Sequence, residues 1–275
     1  MATHTPTGEA ITLEIEGASP SVLRTGGYSS RSLTAGEQVT VVVSPSKRFP
    51  KDSACGYEIV KADGSSVPLV SARMKPQLTS QAATTLIGTW VPTADSFAKF
   101  TRTLNSWALT DKGRELKSKF TVAQSGQVKC VPVSAPMLMM YPVVMVFEKA
   151  ADHVGIKTEW LGGERTVYTD ARKHPATERF QQGHSVGHWE GDELVVDTTN
   201  FTDQETGGIP SGIQRHLTER FTLGKDGKSM SYSYVLQDAE FLAGAVSGGA
   251  EMSYRPDMQL AEVECDQALA QRFLR

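Results

Sequence analysis

Residues 180–201 read FQQGHSVGHWEGDELVVDTTNF and predict two antiparallel strands joined by a tight turn. Gly191-Asp192 supplies the turn, because glycine at the first central position accepts the positive φ angle of a type II′ turn. This turn places Trp189 opposite Leu194, and it fixes every other pair along the two strands. We therefore expect a β-hairpin with a defined register.

The two faces of this hairpin carry different side chains, because successive residues of a strand point to opposite sides. One predicted face holds His184, Val186, His188, Val195, Asp197 and Thr199, and the other holds Ser185, Gly187, Trp189, Leu194, Val196 and Thr198. Asp197 then lies diagonally between two histidines, within hydrogen-bonding reach. A three-residue loop would instead shift the register by one and move Asp197 to the other face.

One carboxylate beside two imidazoles is the most specific indication of catalytic chemistry in the sequence. A neighbouring carboxylate fixes the tautomer of an imidazole and favours its protonated form, which suits general acid and base catalysis near neutral pH. We therefore predict catalytic roles for His184, Asp197 and His188. The alternative interpretation is an exposed polar face, or a structural His-Asp hydrogen bond that joins the two strands.

The overall composition is ordinary for a globular protein, with 39% hydrophobic residues, 21% charged residues and a formal net charge of -3. No basic run is present, so we expect no nucleic-acid partner. No apolar stretch approaches the roughly 18 residues of a membrane span. The N-terminal sequence lacks the pattern of a signal peptide, so we expect either a cytoplasmic protein or one whose signal has been removed.

The cysteines and histidines do not show metal-binding spacing. His184 and His188 are four residues apart, which on a strand is about 13 Å and too far for two ligands of one zinc ion. A metal would need His188 with Glu190, or ligands from other strands, and we predict neither a metal nor a cofactor. Cys130 and Cys265 could form a disulfide if the protein is exported, which would leave Cys55 over.

The chain is predicted to form two domains, a small N-terminal β module at residues 1–75 and a β-barrel at residues 85–275. The module reads as three or four strands whose edges could pair with another subunit, giving a possible homo-oligomer. Residues 71–85 have linker composition. Residues 109–120, LTDKGRELKSKF, predict a helix capped by Thr110.

The second domain contains one strand-like segment after another, separated by turn residues. The segments are YPVVMVFEK, VGIKTEWL, ERTVYTD, GHSVGHWE, ELVVDTTNF, RHLTERFTL and KSMSYSYVL. An antiparallel meander of this length normally closes into a barrel. Residues 86–90, LIGTW, resemble the opening of lipocalin-like barrels. The predicted fold class is therefore all-β, an antiparallel lipocalin-like barrel with a small N-terminal β module and one short helix.

Several further side chains are predicted to contact a ligand. A turn at Gly162-Gly163 would place Trp160 opposite Arg165, and Arg165 with Tyr168 could anchor an anionic or phenolic group. The alternative for these residues is a cation-π contact with solvated charges. The predicted ligand-contacting residues are Arg165, Tyr168, Trp189, His216 and Tyr232.

Two other patterns leave alternatives open. GHSVG at residues 183–187 has the G-x-S-x-G form of serine hydrolases, but that motif needs a buried strand before it and a helix after it. Ser185 is more consistent with a polar pair opposite Thr198. Glu219 shares a strand face with Leu217 and Phe221, so its carboxylate is either paired, for example with an arginine of the neighbouring strand, or functional.

Residues 183–201, GHSVGHWEGDELVVDTTNF, resemble the GHSxGxWEGDTLVVDT signature of a family of uncharacterised, mostly exported bacterial proteins. RTVYTDARKHP and HLTERF resemble two further segments of that family, with the matching residues Arg165, Tyr168, Asp170, Arg172, His174, Pro175, His216, Glu219 and Arg220. The N-terminal part resembles a truncated copy of a second uncharacterised bacterial domain, through Gly17, Ser19, Pro20, Leu23, Gly27, Leu33, Gly36 and Val39. The resemblance implies a fold class and shared site positions, and it implies no reaction.

These observations together predict an enzyme that uses its own side chains as acid and base. It would carry out elimination, hydration, isomerisation or cyclisation on a small hydrophobic molecule held inside the barrel. His184 would be the acid or base and Asp197 would orient it. The competing hypotheses are a binding protein or envelope scaffold without chemistry, and a serine hydrolase that uses Ser185.

Overall fold

A computed structural model describes residues 2–4, 10–18, 20–46, 53–70, 79–206, 209–261 and 264–274. The chain divides into two compact units, Met1–Gln77 and Leu78–Arg275. Part of the predicted linker, residues 71–78, lies outside the described residues. Among the described residues, no helix is both long enough and apolar enough to span a membrane.

Among its described residues, the first unit is a small β module that includes a short helix, α1 at Pro20–Thr25. Its strands are β1 (Ala2–His4), β2 (Ala10–Thr12), β3 (Glu14–Glu16), β4 (Val39–Pro45), β5 (Ser53–Lys61) and β6 (Ser66–Pro68). β1 pairs with β2, while β5 lies between β3 and β4 and also pairs with β6. Ile59, Val67 and Leu69 form the core of this unit.

The second unit is built on a closed barrel of nine strands, which confirms the predicted all-β barrel. The strands are β7 (Gly88–Pro92), β8 (Met145–Lys149), β9 (His153–Thr158), β10 (Glu164–Tyr168), β11 (His184–Glu190), β12 (Glu193–Thr199), β15 (His216–Leu223), β16 (Ser229–Gln237) and β17 (Val246–Tyr254). They follow one another around the wall in chain order, and β17 closes the barrel on β7. A short hairpin, β13 (Gln204–Thr206) with β14 (Ile209–Ser211), interrupts the sequence between β12 and β15.

The hairpin of β11 and β12 has the predicted register, with Trp189 opposite Leu194 and Val186 opposite Asp197. Gly191 has a φ angle of 64°, as the tight turn requires. The pair of β10 and β11 differs from the expected meander, because these two strands are parallel. The long connection at residues 169–183 makes this possible, since parallel neighbours need a crossover of a dozen or more residues.

The hairpin of β9 and β10 differs from its predicted register. Arg165 lies opposite Ile156 and not opposite Trp160. The turn is longer than the two glycines suggested, because Gly163 N–H donates to Trp160 O at 3.0 Å and Leu161 already has a φ angle of 52°. The extra turn residues move the strand pairs along the chain.

Two longer helices pack on the barrel, α2 at Ala94–Leu104 and α3 at Asp111–Lys119. Helix α3 is the predicted one, and the side chain of Thr110 accepts a hydrogen bond from the Gly113 N–H at its start. Helix α2 is an addition to the predicted elements. The C-terminal part adds a short α4 at Gln267–Ala270, and 3₁₀ turns occur at residues 122–124, 126–129, 137–140 and 271–274.

Large side chains fill the interior of the barrel. The fully buried ones include Trp90, Met145, Phe147, Ile156, Leu194, Phe221 and Tyr232. The alternation along each strand turns these residues inward, and it turns the opposite set toward the outer wall. The interior is therefore a packed core. It is not the ligand-holding hollow that the sequence suggested.

Candidate functional site

A buried network of polar side chains crosses the inside of the barrel. The Arg165 guanidinium on β10 donates to both carboxylate oxygens of Glu219 on β15, at 2.8 Å from Nη1 to Oε1 and more closely from Nη2 to Oε2. Tyr232 Oη donates to the same carboxylate at 2.9 Å. Burial is the main reason why the pKa of Tyr232 rises well above its usual value. Arg165 and Tyr232 were predicted to contact a ligand. In the structure both are enclosed in the core and hydrogen-bonded to the carboxylate of Glu219.

Ser185 belongs to this network and has no access to solvent. Its Oγ accepts hydrogen bonds from Arg165 Nε at 3.1 Å and Nη2 at 3.0 Å, and it lies 2.9 Å from Thr198 Oγ1. The polar pair expected opposite Thr198 is thus present. No histidine among the described residues is hydrogen-bonded to Ser185, so this geometry does not support its use as a nucleophile.

The histidine face of the hairpin lies on the outer wall of the barrel. The predicted position was wrong, because the acid-base chemistry was expected inside the barrel. Leu194, Val196 and Thr198 occupy the inward face of β12 and are fully buried, so Asp197 points outward. The apolar character of the opposite face decides this orientation, since the burial of that face against the core stabilises the fold.

Four side chains on this outer wall form one hydrogen-bonded chain. His184 Nδ1 lies 3.0 Å from His174 Nδ1, and His174 Nε2 lies 3.0 Å from Asp197 Oδ1. The other carboxylate oxygen, Oδ2, lies 2.5 Å from His216 Nε2. The order is therefore His184, His174, Asp197, His216, and we call this set the histidine relay.

His174 reaches the relay from the long connection at residues 169–183. Asn200, which follows β12, holds that connection in place, because its side-chain amide donates to Pro175 O and Glu178 O at 2.8 Å each. Asn200 has a φ angle of 57°, a left-handed conformation that asparagine tolerates better than most residues. Phe180 N–H also donates to Asn200 O at 2.8 Å. These bonds hold the connection against Asn200 at three points on the C-terminal side of His174.

Aromatic rings enclose the imidazole of His184, which is only 9% exposed. The Tyr168 ring stacks on it with a centroid distance of 5.1 Å, and the Phe180 ring lies 5.8 Å away. The guanidinium of Arg172 lies over the Tyr168 ring, with its carbon 3.6 Å from the ring centroid. Tyr168, predicted to contact a ligand, therefore lies directly beside the relay.

Ion pairs hold Arg172 over this site. Its guanidinium bonds to Asp170 and to Asp152, with closest distances of 2.6 Å and 2.9 Å. The hydrogen bonds from Arg172 lower the pKa of Asp170 to about 2, so that carboxylate stays charged at neutral pH. The positive charge of Arg172 therefore lies against the Tyr168 ring that stacks on His184.

The environment of His184 favours its neutral form. Burial of the ring lowers its pKa, and the nearby His174 and Arg172 lower it further. At a pH where Asp197 is ionised and both imidazoles are neutral, His174 donates from Nε2 to the carboxylate, and its Nδ1 is then an acceptor for the Nδ1–H of His184. The Nε2 atom of His184 keeps its lone pair, and the described residues offer it no hydrogen-bond partner. A neutral imidazole with a free Nε2 is suited to removing a proton.

The other predicted site residues take different positions. His188 shares the outer face, but it is separate from the relay, because its Nε2 lies 3.1 Å from Glu190 and its side chain is 66% exposed. Trp189 lies near the exposed end of the hairpin. His216 joins the relay through Asp197 and lies at its far end from His184.

His174 was not predicted as a catalytic residue. The only signal for it was the resemblance of residues 165–175 to a family segment, since a loop residue has no periodic pattern that could place it. No group of three or more metal-binding side chains is arranged around one point within the part of the chain that the structure describes. Both ring nitrogens of His174 are already engaged in the relay.

Comparison with known proteins adds no assignment to this geometry. No protein-family model matches the chain, and no curated protein matches it.

Proposed function

We propose that the protein is an acid-base enzyme that acts on a small, partly hydrophobic molecule at the histidine relay. The observation that carries this proposal is the hydrogen-bonded order His184, His174, Asp197 on one face. The arrangement has the logic of a catalytic triad, in which a carboxylate orients an imidazole that in turn acts on the next group. Here the acting group is a second imidazole, His184.

The proposed reaction begins with proton transfer from the substrate to Nε2 of His184. The electron pair of the broken C–H or O–H bond stays on the substrate, where it forms a double bond or attacks an electrophilic atom. The resulting imidazolium is stabilised by His174 and, through it, by the carboxylate of Asp197. The same proton then returns to a leaving group or to another carbon, which covers elimination, isomerisation and cyclisation. In hydration the abstracted proton comes from a water molecule, whose oxygen bonds to an electrophilic carbon of the substrate while the proton is returned to the neighbouring atom.

The substrate would lie on the outer wall against Phe180, which is partly exposed beside His184. The phenyl ring offers an apolar contact, and Arg172 offers a positive charge on the other side of Tyr168. Such a site favours a compact molecule with an apolar body and an electron-rich group. This position replaces the interior of a lipocalin-like barrel, because the interior is filled by side chains.

A direct test is proton exchange between small molecules and D2O, followed by ¹H NMR. The probes are a panel of ketones, β-hydroxy ketones, enones and epoxides with an aromatic or alkyl body, each with an acidic C–H. The wild-type protein is expected to exchange or convert at least one of them, and His184→Gln is expected to lower that rate by on the order of 10²–10⁴-fold. His188→Gln is the matched control, since His188 lies on the same strand and face but outside the relay.

A binding or scaffold protein without chemistry is the second candidate, and a specific observation favours it. The relay attaches the connection at residues 169–183 to β11 and β12 through His174. A purely structural relay predicts that His184→Gln lowers the melting temperature while the wild-type protein exchanges no probe. Equal turnover by the wild-type protein and the His184→Gln variant would refute the enzymatic role of His184.

A further inference from the structure

The first part of β17 lies where the barrel wall is incomplete. β17 pairs with β16 along residues 246–253, whereas β7 pairs only with residues 252–254. β7 ends at Pro92, and Thr93 then caps α2, so the chain leaves the wall at this point. Within the part of the chain that the structure describes, residues 246–251 have a strand neighbour on one side only.

A cleft of about 410 Å³ occupies the place of the missing neighbour. One side is the edge of β17 at residues 247–251. The other side is a single face of α2, because its lining residues Ser96, Lys99, Phe100 and Thr103 follow helical spacing. The cleft thus runs between an exposed strand edge and a helix.

Unpaired backbone groups of β17 point into this cleft. The N–H of Glu251 donates to Ser96 Oγ at 2.9 Å and its C=O accepts from Thr93 N–H at 2.9 Å, so both groups face away from β16. Alternate residues of a strand direct their backbone groups to the same side, so those of Gly249 and Ser247 face the cleft. The described residues supply no backbone or side-chain partner for these two N–H and two C=O groups.

Two glycines, Gly248 and Gly249, keep the edge of β17 free of bulky side chains. Any Cβ at Gly249 would collide with the backbone oxygen of Tyr232, and a Cβ at Gly248 would lie 2.6 Å from Tyr234 Oη. The backbone neighbour therefore requires glycine at position 249, and both glycines leave the edge without bulky groups. A bare strand edge of this kind can accept a further strand.

Tyr234 provides a separate polar feature of the same cleft. Its side chain is only 2% exposed, it lines the cleft, and Oη has no hydrogen-bond partner among the described residues. Burial raises the pKa of Tyr234 to about 12, so the phenol remains a donor at neutral pH. A buried hydroxyl without a partner is costly, and a bound polar group would offset that cost.

We propose that this cleft binds a short peptide segment in extended conformation. The segment would add a strand to β17 and exchange hydrogen bonds with Ser247 and Gly249. A strand edge presents one N–H and one C=O at every second residue, and an extended peptide presents the complementary pattern. Two available residues correspond to a segment of about three to four residues. The cleft is formed by α2, β16 and β17, and the relay by β11, β12, β15 and the 169–183 connection, so this inference is independent of the proposed reaction.

Blocked tripeptides provide a probe of known chemistry. Acetyl-Thr-Val-Thr-amide is added to the ¹⁵N-labelled full chain up to about 10 mM, a range that detects weak binding with a dissociation constant of about 1 mM. We expect shifts of the amide signals centred on Ser247 to Gly249, and slower hydrogen exchange of the Gly249 N–H. The same peptide with N-methylated backbone nitrogens is expected to cause no such shifts, since it lacks the donors.

Two helix variants locate the binding. Thr103→Trp fills the cleft from α2 and is expected to abolish the shifts. Arg102→Trp is the control, because Arg102 is exposed on the same helix but does not line the cleft. Equal shifts with the methylated peptide or with glycerol, shifts that survive Thr103→Trp, or no shifts at 10 mM would each overturn the proposal. So would slow exchange of the Gly249 N–H without peptide, since that group would then already be bonded.

Discussion

His174 and His184 face each other through the same atom, Nδ1, at a distance of 3.0 Å. Only one of these two atoms carries a hydrogen at a time, because two N–H groups pointing at each other cannot form a hydrogen bond. The carboxylate of Asp197 decides which one, since it accepts from Nε2 of His174 and leaves Nδ1 of a neutral His174 as an acceptor. The relay is therefore directional, from His184 toward Asp197.

This direction predicts an unusual pair of tautomers at pH 8. His184 is expected to carry its hydrogen on Nδ1 and His174 to carry its hydrogen on Nε2, and long-range ¹H–¹⁵N NMR spectra of the imidazoles distinguish the two forms. Asp197→Asn should disturb the tautomer of His174 and leave that of His188 unchanged, because His188 lies outside the relay. Hydrogen on Nε2 in both His184 and His174 would contradict the proposed direction.

The lowered pKa of His184 predicts how stability depends on pH. In the unfolded chain this imidazole takes up a proton near its ordinary pKa of 6.5, whereas in the folded protein it stays neutral to lower pH because of burial, His174 and Arg172. Between these two pKa values the unfolded state binds more protons, so the free energy of unfolding decreases as pH falls below about 6.5. Above that pH the contribution of this group is fully present.

Urea unfolding midpoints at pH 8.0 and pH 5.5 measure this dependence. His184→Gln is expected to reduce the difference between the two midpoints, because the titrating group is gone. His188→Gln should change the difference less than His184→Gln does, since the His188 side chain is exposed. An unchanged pH dependence in His184→Gln would assign the effect to other groups.

The buried pair of Arg165 and Glu219 predicts a large loss of stability when one partner is removed. Glu219→Gln leaves the Arg165 guanidinium charged and without its counter-ion in the core. Breaking a buried pair in this way costs about 3–5 kcal/mol, whereas an exposed pair contributes about 0–1 kcal/mol. Glu148→Gln, which removes the exposed partner of Lys157, is the matched comparison. Equal changes of the unfolding midpoint in the two variants would show that burial does not determine the contribution of the pair.

Local signals explain which parts of the fold could be predicted from the sequence. Gly191-Asp192 fixed the register of β11 and β12 because the turn type depends on two residues only. Thr110 marked the start of α3 by a capping preference. Gly113 inside α3 is a poor helix former, yet a Cβ there would collide with the backbone oxygen of Phe241, so tertiary packing requires the glycine.

The site itself depends on contacts between residues far apart in the chain. Alternation predicted that His184 and Asp197 share a face, but the choice of outer face followed from the apolar side chains opposite them. Arg165 contacts Glu219 across the barrel and not on a neighbouring strand. The residue pattern of a single strand does not indicate such a contact. His174 is placed by Asn200 through an irregular connection, so its position required the folded structure.

The disulfide between Cys130 and Cys265 joins residues separated by 135 positions. It attaches the segment before α4 to the 3₁₀ turn at residues 126–129. In the chain-entropy model a closed loop of this length stabilises the folded protein by up to about 5 kcal/mol, because the cross-link restricts the unfolded chain.

We expect Cys130→Ser to lower the melting temperature and to expose the C-terminal residues to proteolysis. Adding Cys265→Ser should cause little further change, since the bond is already lost. Cys55→Ser is the control, as Cys55 is an exposed free thiol. Equal melting temperatures of Cys55→Ser and Cys130→Ser under oxidising conditions would show that the cross-link does not contribute to stability.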